Sequence, residues 1–573
     1  MITRSVITPI LLSAALVVAS CTKDQPAQAP VPTKATTAPA AKSTPKTQPA
    51  KPKGRTVQAG SNEAIYGLAP KNTILWFEIK SFEALAAAFD ETVGDALQDM
   101  NGPSDPKGVL DFLQLMGLPM NKLQMDQPMA LALSLELGSK EPNFTLLLPM
   151  EDSQNTAQLI EQTTKDFRVE ARGRFVAISN SPSYHPGVTV TTALREVRGQ
   201  GLLCLHVETS RLVDRFESEL DQSLVALLAH STGPAENEVR KAGAQVAVDT
   251  LSALCKGIKD MSLRVNLVDG ELSVEGTANL RTGSRLTELG LDKSSNLGEM
   301  LRYVSLGRDE LILGSIHKNA LRFLGEPLVA MYGKHAVSME TKGVEEDFES
   351  VMGMVCADSV DLAFAGNLEE YKTDLAVFLN GLDSAALVAR SERLVELNLT
   401  GLQDLTLMQP QKGVDENSRF AQYDLVAQAG SQAADGLEHL LGSPRVRLRL
   451  LGHGTETMVT LGEGTHIQNN REEKEARMPK NLAWALDCVG GANPAFVSHM
   501  QADHGYLDSM LQKLILGTEP VANEAVSEGP TPWITSYLAL GSTQWRMGAR
   551  MDLSTFRQQA ERTARRQDAA QTK

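Results

Sequence analysis

Leu263-Arg264-Val265-Asn266-Leu267-Val268-Asp269-Gly270-Glu271-Leu272-Ser273-Val274-Glu275-Gly276-Thr277-Ala278 decides the fold class. Apolar and polar residues alternate on both sides of Asp269-Gly270, which is the period of a half-buried strand. An Asp-Gly pair between two such runs marks a two-residue hairpin turn, so the reading is two antiparallel strands, Leu263 to Leu267 and Leu272 to Ala278. The same alternation recurs along the chain, each time as a strand feeding a helix and then a hairpin feeding a helix.

The first copy opens at Thr73-Ile74-Leu75-Trp76-Phe77-Glu78-Ile79, with Ser81 as the N-cap of a helix from Phe82 to Phe89. Its hairpin pairs Met129 to Leu137 with Phe144 to Met150 across Gly138-Ser139-Lys140, and Asp152 or Ser153 caps a helix through Gln162. The second copy begins at Leu202 to Val207, enters a helix after Ser210 and ends in the hairpin quoted above. The third begins at Glu310 to Ser315, with a helix near Ile316 to Met331, a hairpin of Val360 to Phe364 with Asp374 to Phe378, and a helix capped by Asp383 or Ser384. The fourth is expected as a strand at Leu482 to Leu486, a helix from Ala495 to Ile515, a hairpin of Ser536 to Leu540 with Trp545 to Met551, and a last helix from Ser554 to Arg566.

Offsets of about 236 and 230 residues relate the first strands and hairpins, growing to about 280 and 273 after an apparent insertion near residues 400 to 470. The expectation is therefore an α+β chain of repeated strand-helix-hairpin-helix units, with mainly antiparallel sheets and helices on one face. Residues 61–300 form a first unit and 301–573 a second, related one. Such a sheet lacks the crevice at strand carboxyl ends that open parallel sheets offer to nucleotides.

At the amino terminus, Arg4 precedes an apolar run from Val6 to Val18, and Val18-Ala19-Ser20-Cys21 closes it. The run is too short for the roughly 20 residues of a membrane-crossing helix and Pro9 interrupts it, as in a cleaved signal. Val18-Ala19-Ser20-Cys21 resembles a bacterial lipoprotein lipobox, which implies a signal peptide at 1–20, acylation of Cys21 and membrane attachment through lipid. By the same resemblance, Thr22 after the Cys favours the outer membrane of a two-membrane host. The alternative is an ordinary secretory signal in which Cys21 is incidental.

Residues 21–60 read as a tether: Pro26, Pro30, Pro32, Pro39, Pro45, Pro49 and Pro52 recur among Ala, Thr and Lys, leaving nothing to bury. Its 39 residues beyond the Cys span about 120 Å as polyproline II and about 35 Å as a coil. Seven basic residues against Asp24 give it a net charge of +6, suited to anionic head groups or simply to solubility. With Arg4 and the tether's charges removed from 55 basic and 70 acidic residues, the remainder carries −22. That balance argues against nucleic acid as a partner, since such binding draws on clustered Lys and Arg. Cys204, Cys255, Cys356 and Cys488 are widely spaced in apolar contexts, never Cys-x-x-Cys, and read as two disulfides or as buried thiols rather than a zinc site.

Three phrases, Ala69-Pro70-Lys71-Asn72-Thr73, Met125-Asp126-Gln127-Pro128-Met129-Ala130-Leu131-Ala132-Leu133 and Gly173-Arg174-Phe175-Val176-Ala177-Ile178-Ser179-Asn180, are similar to recurring phrases of uncharacterised bacterial envelope proteins classed as domains of unknown function. The resemblance covers most of residues 65–330 and implies no chemistry.

Each candidate for chemistry has a structural explanation. Ser315-Ile316-His317-Lys318 has the Ser-x-x-Lys form of penicillin-binding proteins, but Ser294-Ser295-Asn296 precedes it, no Lys-Thr-Gly follows, and an N-cap explains Ser315. His499 and His504, with Asp503, are five apart, about 140° around a helix, which suits surface histidines better than a metal pair. Cys204 and His206 face one side of a strand, as a catalytic pair would, among the apolar neighbours of a core strand. Glu345-Glu346-Asp347 and Glu472-Glu473 lack the spacing of a calcium loop, and Gly452-His453-Gly454 reads as a turn between strands. Arg562, Arg565 and Arg566 suit the carboxyl end of the last helix. No cofactor or metal is expected.

The expected function is a non-catalytic envelope lipoprotein that binds an envelope protein or polymer. The first alternative is a carrier of lipid or another apolar ligand, for which Met116, Met120, Met125 and Met129 are adaptable contacts, although core packing also explains them. An exported hydrolase is the third.

Overall fold

A computed structural model of the chain describes residues 65–92, 118–136, 141–163, 167–181, 184, 201–232, 238–268, 270–290, 297–301, 310–323, 358–367, 372–380, 405–408, 411–415, 418–431, 434, 443, 445–453, 456–461, 478–501 and 533–553. The signal, the tether, the Gly138-Ser139-Lys140 turn, the helices after Asp383 and Ser554, Ser294-Ser295-Asn296 and both acidic runs lie outside the described residues.

Nineteen strands are described. The first eight are β1 (Thr73–Ile79), β2 (Met129–Ser134), β3 (Asn143–Pro149), β4 (Arg168–Arg172), β5 (Phe175–Ser179), β6 (Leu203–Val207), β7 (Ile258–Val268) and β8 (Glu271–Leu280). The remainder are β9 (Glu310–His317), β10 (Ser359–Asn367), β11 (Lys372–Asn380), β12 (Leu405–Leu407), β13 (Gln411–Asp415), β14 (Ser418–Ala427), β15 (Arg445–His453), β16 (Glu456–Leu461), β17 (Ala495–Gln501), β18 (Trp533–Leu540) and β19 (Gln544–Asp552). Seven helices accompany them: α1 (Phe82–Thr92), α2 (Ser153–Thr163), α3 (Thr209–Arg215), α4 (Glu217–Thr232), α5 (Glu238–Gly257), α6 (Leu297–Met300) and α7 (Lys480–Val489).

Every strand pairing is antiparallel, and the strands join into one sheet. From one edge the order is β4, β5, β3, β2, β1, β6, β7, β8, then β19, β18, β17, β9, β10, β11, β16, β15, β14, with β12 and β13 both on β14. The expected boundary at residue 300 falls between α6 and β9, while the sheet continues through the β8–β19 pairing, Gln544 opposite Asn279 and Asp552 opposite Glu271. The β7–β8 hairpin has the register read from the sequence, Val268 opposite Glu271, with Gly270 at φ +77° in the turn. Ser81 caps α1 as expected, its Oγ accepting the Ala84 N–H at 3.0 Å.

Three expectations are corrected. Leu482 to Leu486 belongs to helix α7, whose Leu482, Ala485 and Val489 are buried at helical spacing. Straight-chain residues and Ala favour a helix there, and Gly490, at φ +56°, ends it. Ala495 to Gln501 is a strand, not the start of a helix, with every second residue buried between β9 and β18. The segment beyond Gln501 in that expected helix lies outside the described residues. Finally, β9 runs on to His317, held by Ser359 opposite, so its helix starts at residue 318 rather than 316.

The helices do not all lie on one face. Phe77 and Ile79 define the face covered by α1 and α2, with Leu148, Val176 and Ile178 beneath them. Cross-strand register carries Phe77 through Leu205, Leu263, Gly276, Met547, Leu538 and Phe496 to Gly314. Leu313, Val497 and Tyr537 therefore belong to the opposite face, and that is where α6 and α7 pack. In the first half this opposite face, carrying Trp76, is closed by Ile65, Tyr66, Ala69 and Tyr184.

At the centre of the sheet neither face is fully closed. On β7, β8 and β19 the α1 face presents Leu263, Val265, Val274, Met547 and Met551, and the Trp76 face presents Ser262, Arg264, Asn266, Glu275 and Arg550, all half-buried. Gly548 allows Tyr537 to lie across β19: a Cβ there would sit 2.5 Å from the ring. Gly548→Ala is expected to cost about 1–3 kcal/mol by overpacking. Gly298→Ala, whose Cβ meets nothing within 4 Å, is the neutral control. Urea titration of both variants checks this, and equal midpoints would contradict the Tyr537 packing.

Candidate functional site

A group of buried polar and ionisable side chains lies on the Trp76 face of β1, β6 and β7. Period two puts Trp76 and Glu78 on that face of β1, Cys204 and His206 on that face of β6, and Ser262 and Arg264 on β7. Register then sets Trp76 opposite His206, Glu78 opposite Cys204, and His206 opposite Ser262. Trp76 is 0% exposed, His206 1% and Glu78 3%. Trp76 Nε1 donates to Glu78 Oε2 at 3.2 Å, and the Tyr66 hydroxyl also hydrogen-bonds the Glu78 carboxylate. His206 Nδ1 pairs with Ser262 Oγ at 2.8 Å and Nε2 with Glu208 Oε1 at 3.4 Å.

Burial pushes the Glu78 carboxyl up from its ordinary range, against the opposing pull of hydrogen bonds from Tyr66 and Trp76. Burial, then the neighbouring Glu78, pushes the Cys204 thiol up to about 11. Cys204 and His206 share a face, as read from the sequence. The chemistry nevertheless runs against nucleophilic use of Cys204: a nucleophile needs a thiolate, and this environment holds the proton on sulfur. Both ring nitrogens of His206 are engaged by Ser262 and Glu208. Glu78 and Trp76 were not singled out in the sequence reading, although a Glu inside an otherwise apolar strand run is a visible signal of a buried carboxyl.

His499 is not a surface residue on a helix. It sits in β17 at 5% exposure, under α7. Its Nδ1 pairs with Thr535 Oγ1 at 2.7 Å, Asn481 Nδ2 donates to the same oxygen at 2.9 Å, and Nε2 has no hydrogen-bond partner. Burial lowers the His499 pKa to about 4. The folded chain thus holds it neutral, whereas the unfolded chain protonates it near 6.5. Stability is fully present above about pH 6.5 and is lost as pH falls toward about 4, by up to about 3 kcal/mol. His499→Gln is expected to flatten this slope in urea titrations between pH 4 and 7, and an unchanged slope would remove the assignment. His504 and Asp503 lie outside the described residues, and among the described residues no three His, Cys, Asp or Glu side chains gather as a metal site.

Ser315 is neither a helix-start nucleophile nor an N-cap. It lies inside β9 at 2% exposure, opposite Asp361 on one side and Ala495 on the other, while Lys318 opens the helical run 318–323. His317 and Asp361 share its face, but His317 Nδ1 accepts the Asn319 N–H at 3.3 Å and Asp361 Oδ2 accepts from Asn380 at 2.7 Å. Gly452 and His453 end β15, opposite Thr457 and Glu456, and Gly454 lies outside the described residues. Met120, Met125 and Met129 pack in the core under α1, with Leu123 and Leu148; Met116 lies outside the described residues. Cys204, Cys255 and Cys488 are thiols and form no disulfide. Cys356, Arg562, Arg565 and Arg566 lie outside the described residues.

No family model and no curated protein matches the chain. Among solved structures, crystal form III of TP0453 aligns at 9% identity over 45% of this chain and 96% of that one, with a TM-score of 0.20. Crystal form I of TP0453 aligns at 7% identity over 46% and 96%, with a TM-score of 0.21. At these scores the likeness carries no argument about fold or function.

Proposed function

We propose that this chain is a non-catalytic binding protein of the bacterial cell envelope, attached to the membrane through an acylated Cys21 and displayed on the 21–60 tether. The observation that carries the reading is the sheet centre, where β7, β8 and β19 expose a polar face and an apolar face at once. Although α1, α3 and α5 pack against β7 and Trp545 and Ala278 are covered, the positions named above stay half-buried, and partly exposed surface of this kind is a place for a partner. No helix of the described residues is long and apolar enough to cross a membrane. Attachment in this proposal rests on lipid.

The binding domain is further proposed to be a duplicated unit. Outward from the β8–β19 pair, the order β8, β7, β6, β1, β2, β3, β5, β4 is matched place for place by β19, β18, β17, β9, β10, β11, β16, β15. The extra strands β12, β13 and β14 fall within the stretch read as an insertion, and the strand that answers β6 is β17, not Leu482 to Leu486.

Photo-crosslinking side chains placed at Asn266 and Ser273 in the envelope test the reading. Adducts of one discrete mass from both positions, absent from a control at the exposed Leu159, are expected. Equal labelling at all three sites would count against the sheet centre.

A further inference from the structure

In the first half the sheet ends at β4, which pairs with β5 alone among the described residues, Arg168 opposite Ser179 and Arg172 opposite Phe175. In the second half the same place in the strand order belongs to β15, and there a further antiparallel strand, β14, is added. It sets Asp424 opposite Arg447, where the carboxylate pairs with Arg445 and Arg447. The fold thus accommodates another strand at this place, and a carboxylate on that strand answers the arginines. On β4, Gly173 and Arg174 form a two-residue turn, closed by Arg172 and Phe175 as a hydrogen-bonded pair. Such pairs alternate along antiparallel strands, so Arg168 and Glu170 also turn their N–H and C=O groups to β5, while Val169 and Ala171 turn theirs to the open edge. Neither Val169 nor Ala171 makes a further backbone hydrogen bond among the described residues.

The two faces of β4 differ. Phe167, Val169 and Ala171 pack with Ala157 and Ile160 of α2, whereas Glu170 on the other face takes Arg168 on one oxygen and Arg172 on the other. In the sequence the charges alternate as Asp166, Arg168, Glu170 and Arg172, and a run of this kind is self-complementary when two copies meet antiparallel about its centre, which is Val169. We infer that two copies of this chain pair edge to edge through β4, with Val169 opposite its own copy. That register sets Arg168 opposite Glu170 twice and Phe167 opposite Ala171 twice, so ion pairs fill one face and a large-small apolar match fills the other. The next register, with Val169 opposite Ala171, sets Glu170 against Glu170 and arginine against arginine, which repulsion disfavours. An unpaired strand edge is a template for such pairing, and a two-fold pair closes on itself as a dimer. Five strands separate β4 from β7, so this pairing leaves the proposed surface for an envelope partner free and is tested apart from it.

Sedimentation equilibrium of the full mature chain in detergent is expected to show monomer and dimer with a dissociation constant of about 10–100 µM, as the small area of a short strand pairing predicts. Arg168→Glu and Glu170→Arg each set like charges opposite one another and are expected to weaken the dimer about tenfold. The double variant restores opposite charges and is expected to return to within about threefold of the wild-type constant. Val169→Cys is expected to give a reducible dimer on mild oxidation, because the paired Cα atoms stand about 5.5 Å apart. Ala171→Cys, whose copies stand about 14 Å apart in this register, is expected to give none. A wild-type chain that stays monomeric well above that concentration range, with no disulfide from Val169→Cys, would overturn the pairing. A dimer that all three charge variants leave unchanged would also overturn it, by placing the interface elsewhere. A disulfide from Ala171→Cys in place of Val169→Cys would overturn the register.

Discussion

Cys21→Ser is expected to move the protein from the membrane pellet to the soluble envelope fraction. The proposed anchor is covalent lipid on one residue. Acyl chains contribute about 0.8 kcal/mol per buried methylene, so two or more hold a protein stably where one holds it only marginally. Serine removes the thioether and with it the processing site. What remains is the tether, whose net charge of +6 attracts an anionic surface by about 1 kcal/mol per basic residue close to the head groups. That residual attraction is screened by salt. The variant should therefore bind weakly at low ionic strength and be washed off at about 0.5 M salt, while the wild-type chain stays in the pellet. Retention of the variant in high salt would contradict anchoring through Cys21.

Trp76→Ala is expected to be among the most damaging single substitutions in the sheet. Trp76 is fully buried, tilted against Tyr66 with ring centroids 5.7 Å apart, and its Nε1–H is one of the donors to buried Glu78. Truncating a buried Trp costs about 3–5 kcal/mol through lost contacts and a residual cavity. Here Glu78, itself 3% exposed, also loses a hydrogen-bond donor, so the upper part of that range is expected. Trp76→Phe keeps most of the volume and loses only the donor, and should cost about 1–3 kcal/mol. Urea denaturation separates the two variants. A cost for Trp76→Ala below about 1 kcal/mol would show that residues 65–69 do not depend on Trp76 for their seat on the sheet.

Strands whose side chains alternate between a covered and an open face were legible in the sequence. The β7–β8 and β18–β19 hairpins follow from period two and turn chemistry alone, because each strand carries a polar residue at every second place over part of its length. Leu482 to Leu486 and Ala495 to Gln501 were misread for the opposite reason. Short apolar runs do not reveal their period, and burial of Leu482, Ala485 and Val489 along one helical stripe became visible only in three dimensions. His499 was read as exposed because a helix was expected there; in a strand, the same residue points under α7. Glu78 had a signature, a lone carboxyl in an apolar strand, and its donors Tyr66 and Trp76 lie within twelve residues of it.

Native mass spectrometry of the acylated chain, purified from the envelope and compared with the same sample after denaturation, tests most directly whether this sheet is a binding surface. The account predicts an excess mass of one discrete value, released on denaturation. Identical native and denatured masses for the wild-type chain would contradict it.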